Sequence, residues 1–202
     1  MILTIKQSGD MMAEIVQSKR ALRELQTTKL HDFLKDSTNK PKLAALYQRL
    51  FDSPAFNNSR TIGVTLSMDD ELDTQPIIHE ALAHDIQVAV PRTLPHRQME
   101  FVLLEEKTQL NQTKFGTIEP VNGTVIAKNQ MDVLIVPGLA FSRNHYRVGY
   151  GGGFYDRFLK GFEGVSISIA TPVQLFEQPV WDVETFDVPI DQLIFSEDQE
   201  GL

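Results

Sequence analysis

Residues 132–159 read DVLIVPGLAFSRNHYRVGYGGGFYDRFL, and the order of its parts decides the fold. Val133 to Val136 is an unbroken apolar run of strand length, the pattern of a strand covered on both faces. Pro137 and Gly138 end it, and a polar loop is expected from Ala140 to Tyr150. Gly149, Gly151, Gly152 and Gly153 then crowd into five residues, and an amphipathic helix is predicted over Phe154–Phe162. A glycine loop feeding a helix start lets the backbone approach a ligand and leaves amide N–H groups free to bind phosphate. Arg147, just ahead of the glycines, can add a bidentate charge. Asp156, in the first helical turn, is poised to share Mg²⁺ with phosphate oxygens. The plainer alternative is a tight strand-to-helix turn with a favourable first-turn acid. No lysine–Ser/Thr pair follows, so this is not a Walker loop, and Phe154 in the sixth place breaks G-x-G-x-x-G.

Outward from this segment, short apolar runs alternate with helical patterns. Strands are expected at Thr61–Leu66, at Gln87–Val90 closed by Pro91, at Met99–Leu104 and at Val165–Ala170. Val88 to Val90, like Leu134 to Val136, is apolar without alternation. Thr74 is read as the cap of a helix running through His84, with Pro76 tolerated in its first turn. Upstream, Leu43, Leu46, Tyr47, Leu50 and Phe51 follow helical spacing. An earlier helix has Ile15, Leu22 and Leu25 on its apolar face, with Asp10 as its cap. SPAFNNSR (53–60) reads as a loop. Strands alternating with helices predict an α/β fold with a parallel or mixed sheet. No repeat or long linker divides the chain, so one domain over residues 1–202 is expected.

Composition narrows the function. The 202 residues are 42% hydrophobic and 23% charged, as in ordinary globular proteins. A net charge of -8 and a pI near 5.1 argue against nonspecific nucleic-acid binding, which needs a basic face. They leave a nucleotide substrate open, since a few placed cations can hold a triphosphate. The absence of cysteine removes disulfides, thiolate zinc sites and cysteine nucleophiles. No apolar run approaches about 18 residues and no secretory signal is read, so a cytoplasmic protein without membrane association is expected. The sequons at Asn57, Asn111 and Asn122 are read as chance. HEALAH (79–84) places His79 and His84 five apart, about 140° around a helix, which does not suit one metal. GVSIS lacks the second glycine of a nucleophile elbow. Trp181 is read as a packing anchor.

The stretch PGLAFSRNHYRVGYGGGFYDRFL closely resembles the signature of 5-formyltetrahydrofolate cyclo-ligases. Weaker matches follow in the same order: Lys19-Arg20-Ala21-Leu22-Arg23, LSMDDELDT (66–74), Val90-Pro91-Arg92, Ile118-Glu119-Pro120 and Asp187-Val188-Pro189-Ile190-Asp191. The resemblance spans about residues 19–195. Tyr150 departs from it by standing where arginine is common. Ser142 stands where aspartate is common, and His145-Tyr146 replaces the glycine usual before Arg147.

The resemblance implies a three-layer α/β/α fold, with helices on both faces of a mixed, mostly parallel sheet and a helical N-terminal segment. It implies conversion of 5-formyltetrahydrofolate and ATP to 5,10-methenyltetrahydrofolate, ADP and phosphate, with Mg²⁺, through phosphorylation of the formyl oxygen and ring closure by N10. On this reading Lys19 and Arg23, sharing a helix face, reach ATP phosphates, though a solvated helix surface is the plainer account of the pair. Arg147 and residues Gly149, Tyr150, Gly151, Gly152, Gly153, Phe154 and Tyr155 bind ATP. Glu71 accepts hydrogen bonds from the pterin ring, or is simply a solvated loop acid. Leu66, Met68, Phe115, Tyr150, Gly152 and Phe154 complete the folate site, unless Leu66, Met68 and Phe115 are core. Asp156 and, more weakly, Asp187 ligate the metal. Arg147, Tyr155 and Asp156 form the catalytic group. A monomer is expected. Two other functions are kept: a non-catalytic folate or nucleotide binder of the same fold, and another phosphate-handling enzyme such as a sugar-phosphate isomerase.

Overall fold

A computed structural model describes residues 18–196; the expected roles of Asp10 and Ile15 lie outside them. In chain order come α1 (Lys19–Lys35), α2 (Lys40–Phe51), α3 (Pro54–Asn57), β1 (Thr61–Gly63), α4 (Gln75–Ala83), β2 (Gln87–Leu94) and β3 (Gln98–Leu103). After these come β4 (Leu110–Gln112), β5 (Ile118–Pro120), β6 (Val125–Ile126), β7 (Val133–Ile135), β8 (Ala140–Ser142), β9 (Arg147–Val148), α5 (Phe154–Leu159), β10 (Val165–Ile169), β11 (Leu175–Phe176) and β12 (Gln192–Ile194).

Among the described residues the main sheet has seven strands in the order β12-β10-β7-β1-β2-β3-β6. The five from β12 to β2 are mutually parallel, and β3 lies antiparallel to both its neighbours. Successive side chains of a strand point to opposite faces. Val133 and Ile135 therefore join a cluster with Leu46 and Leu50 of α2, Phe56 of α3 and Ile77, Ile78 and Ala81 of α4. Leu134 and Val136 point the other way, to Phe158 and Leu159 of α5 and Phe141 of β8. That two-sided cover explains the unbroken apolar run, and the expected α/β architecture holds. Leu134 is fully buried, so Leu134→Ala would cost about 3 kcal/mol.

Several local expectations fail for identifiable reasons. Ser18 caps α1, its Oγ accepting from Ala21 N at 3.2 Å. Leu25 is 42% exposed, and the buried face of α1 is Leu22, Gln26, Leu30 and Phe33. SPAFNNSR is not all loop: Ser53 Oγ caps α3 through Phe56 N. β1 spans three residues rather than reaching Leu66. Thr74 occupies the cap position of α4 without a side-chain cap bond; its hydroxyl is committed to Thr65 O at 2.6 Å. Pro91 lies inside β2. Its missing N–H would point toward β1, which ends at Gly63, so no ladder bond is lost. The segment from Ala140 to Tyr150 is not a polar loop but the β8–β9 hairpin, joined by β11 into a second sheet. The helix after the glycines stops at Leu159, and Gly161 follows at φ +71. Trp181 is buried against Leu22, Ala140 and Val148, edge-on to Phe176.

Candidate active site

From β1 the chain winds outward through β2, β3 and β6, then returns to β7 and winds the other way through β10 and β12. The reversal falls between β1 and β7. In open α/β sheets the carboxyl ends of such strands leave a crevice where ligands bind. A cleft lies there, lined among others by Thr65 after β1, Pro137 and Gly138 after β7, and Glu71, Tyr150 and Gln174.

The loop after β1 is shaped by short hydroxyl bonds. Thr74 Oγ1 donates to Thr65 O and accepts from Ser67 N, while Ser67 Oγ accepts from Thr74 N. Within that ring the Met68–Glu71 turn closes on itself. Glu71 N donates to Met68 O at 3.0 Å, and Met68 N donates to Glu71 Oε2 at 2.9 Å. The carboxylate is thereby fixed in the cleft. Burial pushes the Glu71 carboxyl up, against the opposing pull of the Met68 amide and the Tyr150 hydroxyl. Burial, then Glu71 and Asp70, push the Tyr150 phenol up as well. A hydrogen bond between His31 of α1 and Asp70 ties the helix to this loop.

From the glycine loop, Tyr150 lines the same cleft. Gly151 (φ +99) and Gly153 (φ +67) hold left-handed backbone conformations that a side chain would strain. Gly153 occupies the cap position of α5. Arg23 of α1, 126 residues away in sequence, donates from Nε to Gly149 O at 2.7 Å. Its guanidinium carbon would lie 3.4 Å from a methyl placed on Gly151. The Phe154 ring folds back over Gly152, 2.6 Å from where a Cβ would stand. Lys19 lies one turn before Arg23 and pairs with Asp187 Oδ2 at 2.6 Å and Glu184 at 2.9 Å. Burial alone would lower the lysine's pKa, but the two acids raise it.

Behind the loop, Arg147 and Asp156 form a closed unit with the backbone of Val188. Arg147 donates to Asp156 Oδ1 at 3.1 Å and to Val188 O at 2.9 Å, and Val188 N donates to the same Oδ1 at 3.2 Å. Burial lowers the arginine's proton affinity, countered by Asp156, Tyr155 and Asp187. The Tyr155 hydroxyl is buried with no hydrogen-bond partner among the described residues. Its phenol is pushed up by burial and by Glu71, with Arg147 opposing, so it lies within electrostatic reach of both.

Of the expected site residues, Glu71 and Tyr150 line the cleft, while Arg23 meets Gly149, Lys19 meets Asp187 and Arg147 meets Asp156. Leu66 packs against the core. Met68 lies beside the β4–β5 turn, its Sδ 3.7 Å from a Cβ built on Gly116, whereas Phe115 on that turn is 92% exposed. Gln26 and Gln174, not singled out in the sequence, are buried and hold backbone carbonyls of the cleft floor. Among the described residues no group of three or more His, Asp or Glu is set to hold a metal, and no helix is long and apolar enough to cross a membrane.

This geometry coincides with a family likeness along most of the chain. The sequence profile of the 5-formyltetrahydrofolate cyclo-ligase family matches residues 15–196. A 5-formyltetrahydrofolate cyclo-ligase of Escherichia coli (strain K12) is 31% identical over 153 residues, covering 72% of this chain and 83% of that protein. One from Mus musculus is 27% identical over 164 residues, covering 75% and 81%. The solved structure of Aquifex aeolicus 5,10-methenyltetrahydrofolate synthetase aligns with a TM-score of 0.74 at 26% identity, covering 88% of this chain and 89% of that one.

Proposed function

The chain belongs to the 5-formyltetrahydrofolate cyclo-ligase family, and from that premise we propose that it closes 5-formyltetrahydrofolate to 5,10-methenyltetrahydrofolate with ATP and Mg²⁺ at the cleft between β1 and β7. The observation that supports this reading is that one loop contacts both Arg23 and Glu71. Gly149 O receives Arg23, and the next residue, Tyr150, turns its hydroxyl toward Glu71. A nucleotide on the cationic side and a pterin on the acid would meet across that loop.

The γ-phosphoryl group passes from ATP to the formyl oxygen, breaking its bond to ADP and forming one to that oxygen. The formyl carbon becomes electrophilic, N10 attacks it and loses its proton, and phosphate leaves with the former formyl oxygen. Such transfer needs positioning and charge stabilisation more than covalent help. Arg23 and Lys19 meet the phosphates from α1, the amides of 149–153 cradle them, and Arg147 faces the charge that moves. Glu71 accepts from the paired N–H donors of the pterin, with Leu66, Met68, Phe115 and Phe154 offering apolar contact. The Tyr155 hydroxyl is a donor free to meet a ligand oxygen.

Asp156 and Asp187 fit a magnesium ion. Each uses one carboxylate oxygen in the bonds above, and the other oxygen has no partner among the described residues. Mg²⁺ favours one or two such oxygens completed by water and phosphate. Bound there, it would neutralise phosphate charge.

The test mixes purified protein with 5-formyltetrahydrofolate, with and without Mg-ATP, and follows the near-ultraviolet absorbance of the methenyl product. An ATP-dependent rise is expected. Folate binding without any rise, at enzyme equal to substrate, would assign the chain to passive binding.

A further inference from the structure

The inward face of α1 is a single stripe, Lys19, Arg23, Gln26, Leu30 and Phe33, at the four- and three-residue spacings that share a helix face. Its first two members are the nucleotide cations of the reading above, on which this inference rests. Its last two are buried core. Gln26, between them, is fully buried. Its Nε2 donates to Leu139 O at 3.3 Å and Val173 O at 2.7 Å, while its Oε1 has no partner among the described residues. A leucine, as at 22 and 30, would fill the space but leave the carbonyls of Leu139 and Val173 without this donor, so the amide is placed to hold those two carbonyls rather than only to pack.

The bonds around Gln26 close a ring through the site. Leu139 N donates to Val148 O at 2.8 Å, Val148 precedes Gly149, and Gly149 O receives Arg23 three residues before Gln26 on the helix. Gln174 completes the floor. Its Nε2 donates to Gly138 O at 2.8 Å, and its Oε1 accepts from Thr171 N and Oγ1. Two buried amides thus hold the successive carbonyls of Gly138 and Leu139, the turn that leaves β7 beneath the cleft.

We propose that Gln26 is a positioning residue for nucleotide binding: it fixes the height of α1 over the glycine loop, and so the reach of Arg23 and Lys19 toward phosphate. It touches no ligand itself and acts through Arg23.

The test compares wild type, Gln26→Met, Arg23→Ala and the double variant in steady-state turnover with ATP and 5-formyltetrahydrofolate, alongside thermal unfolding. Gln26→Leu replaces Gln26→Met if the latter does not fold. Gln26→Met is expected to raise the KM for ATP about tenfold, as misplacement of a binding group does, with the folate KM changed less than about twofold. In the Arg23→Ala background the same substitution should add little, because the group it positions is gone. An ATP KM near wild type, both KM values rising together with the loss of stability, or a full additional penalty without Arg23 would each overturn the proposal. Absence of wild-type turnover would instead remove the functional reading.

Discussion

The Arg147 guanidinium and the Asp156 carboxylate meet at 3.1 Å, with the arginine side chain 3% exposed and the aspartate 27%. The acid that would ligate magnesium is therefore also the counter-charge of a buried cation. From sequence, Asp156→Ala is expected to remove turnover and leave the fold intact. The ion pair revises the second half of that expectation. Truncation strands a buried arginine, a loss of about 3 kcal/mol, and takes the acceptor from Val188 N. Asp156→Asn keeps that acceptor and should lose less stability while still losing turnover. Chemical denaturation of the two variants checks this; an alanine variant as stable as wild type would deny the pair its structural role.

Glu71 carries a different trade. Burial raises its carboxyl above the ordinary value of 4.5, so the folded protein binds this proton more tightly than the unfolded chain. The contribution to stability is then most favourable at low pH and is lost as pH rises from 4.5 through the folded value. At neutral pH the ionised, buried carboxylate costs stability. Glu71→Gln, which still offers an oxygen to Met68 N, should unfold at a higher temperature than wild type at neutral pH, the gap closing as pH falls below 4.5. The same variant should bind 5-formyltetrahydrofolate about tenfold more weakly, because a donor amide replaces half of the acceptor. Thermal scans across pH and equilibrium folate titration measure the two halves.

Phe115 isolates binding from folding. Its ring is 92% exposed, so Phe115→Ala should change stability by less than about 0.5 kcal/mol. If the turn that carries it closes on the pterin beside Met68, the folate KM should rise about tenfold through lost aromatic contact, with the ATP KM unmoved. An unchanged folate KM would remove Phe115 from the substrate site.

What could be read in advance was what local pattern encodes. The β7 run and the glycine turn depend on neighbours in sequence, and both stand as expected. The β8–β9 hairpin is hard to read because its strands are only three and two residues long, too short to show alternation, and β8's other partner, β11, lies far along the chain, Phe141 opposite Leu175. Pro91 misled because its tolerance depends on β1 stopping at Gly63. β4 and β6 were missed because exposed residues, among them Leu110 and Val125, blur their alternation. Of the candidate site, the glycines, Arg147 and Asp156 are readable from local chemistry, whereas Lys19, Arg23 and Glu71 enter only through the family resemblance. Gln26 is legible from neither, since a glutamine on a helix reads as solvent-facing until Leu139 and Val173 close over it.

Tyr155 gives the sharpest separation of catalysis from stability. Its hydroxyl is buried without a partner among the described residues, so the folded protein already bears the desolvation of an unpaired donor. Tyr155→Phe removes that cost and keeps the ring among its apolar neighbours. The variant should be as stable as wild type or slightly more so, with no cavity formed. If the hydroxyl donates to an oxygen that gains charge during phosphoryl transfer, kcat should fall about 100-fold, the scale of losing one preorganised donor. The KM values should move little, because the bond strengthens only as that charge develops. Denaturant unfolding and saturating turnover are compared on the same preparation. A variant that loses both stability and activity would show the hydroxyl paired within the fold, and one that keeps full kcat would show that it meets no reacting atom.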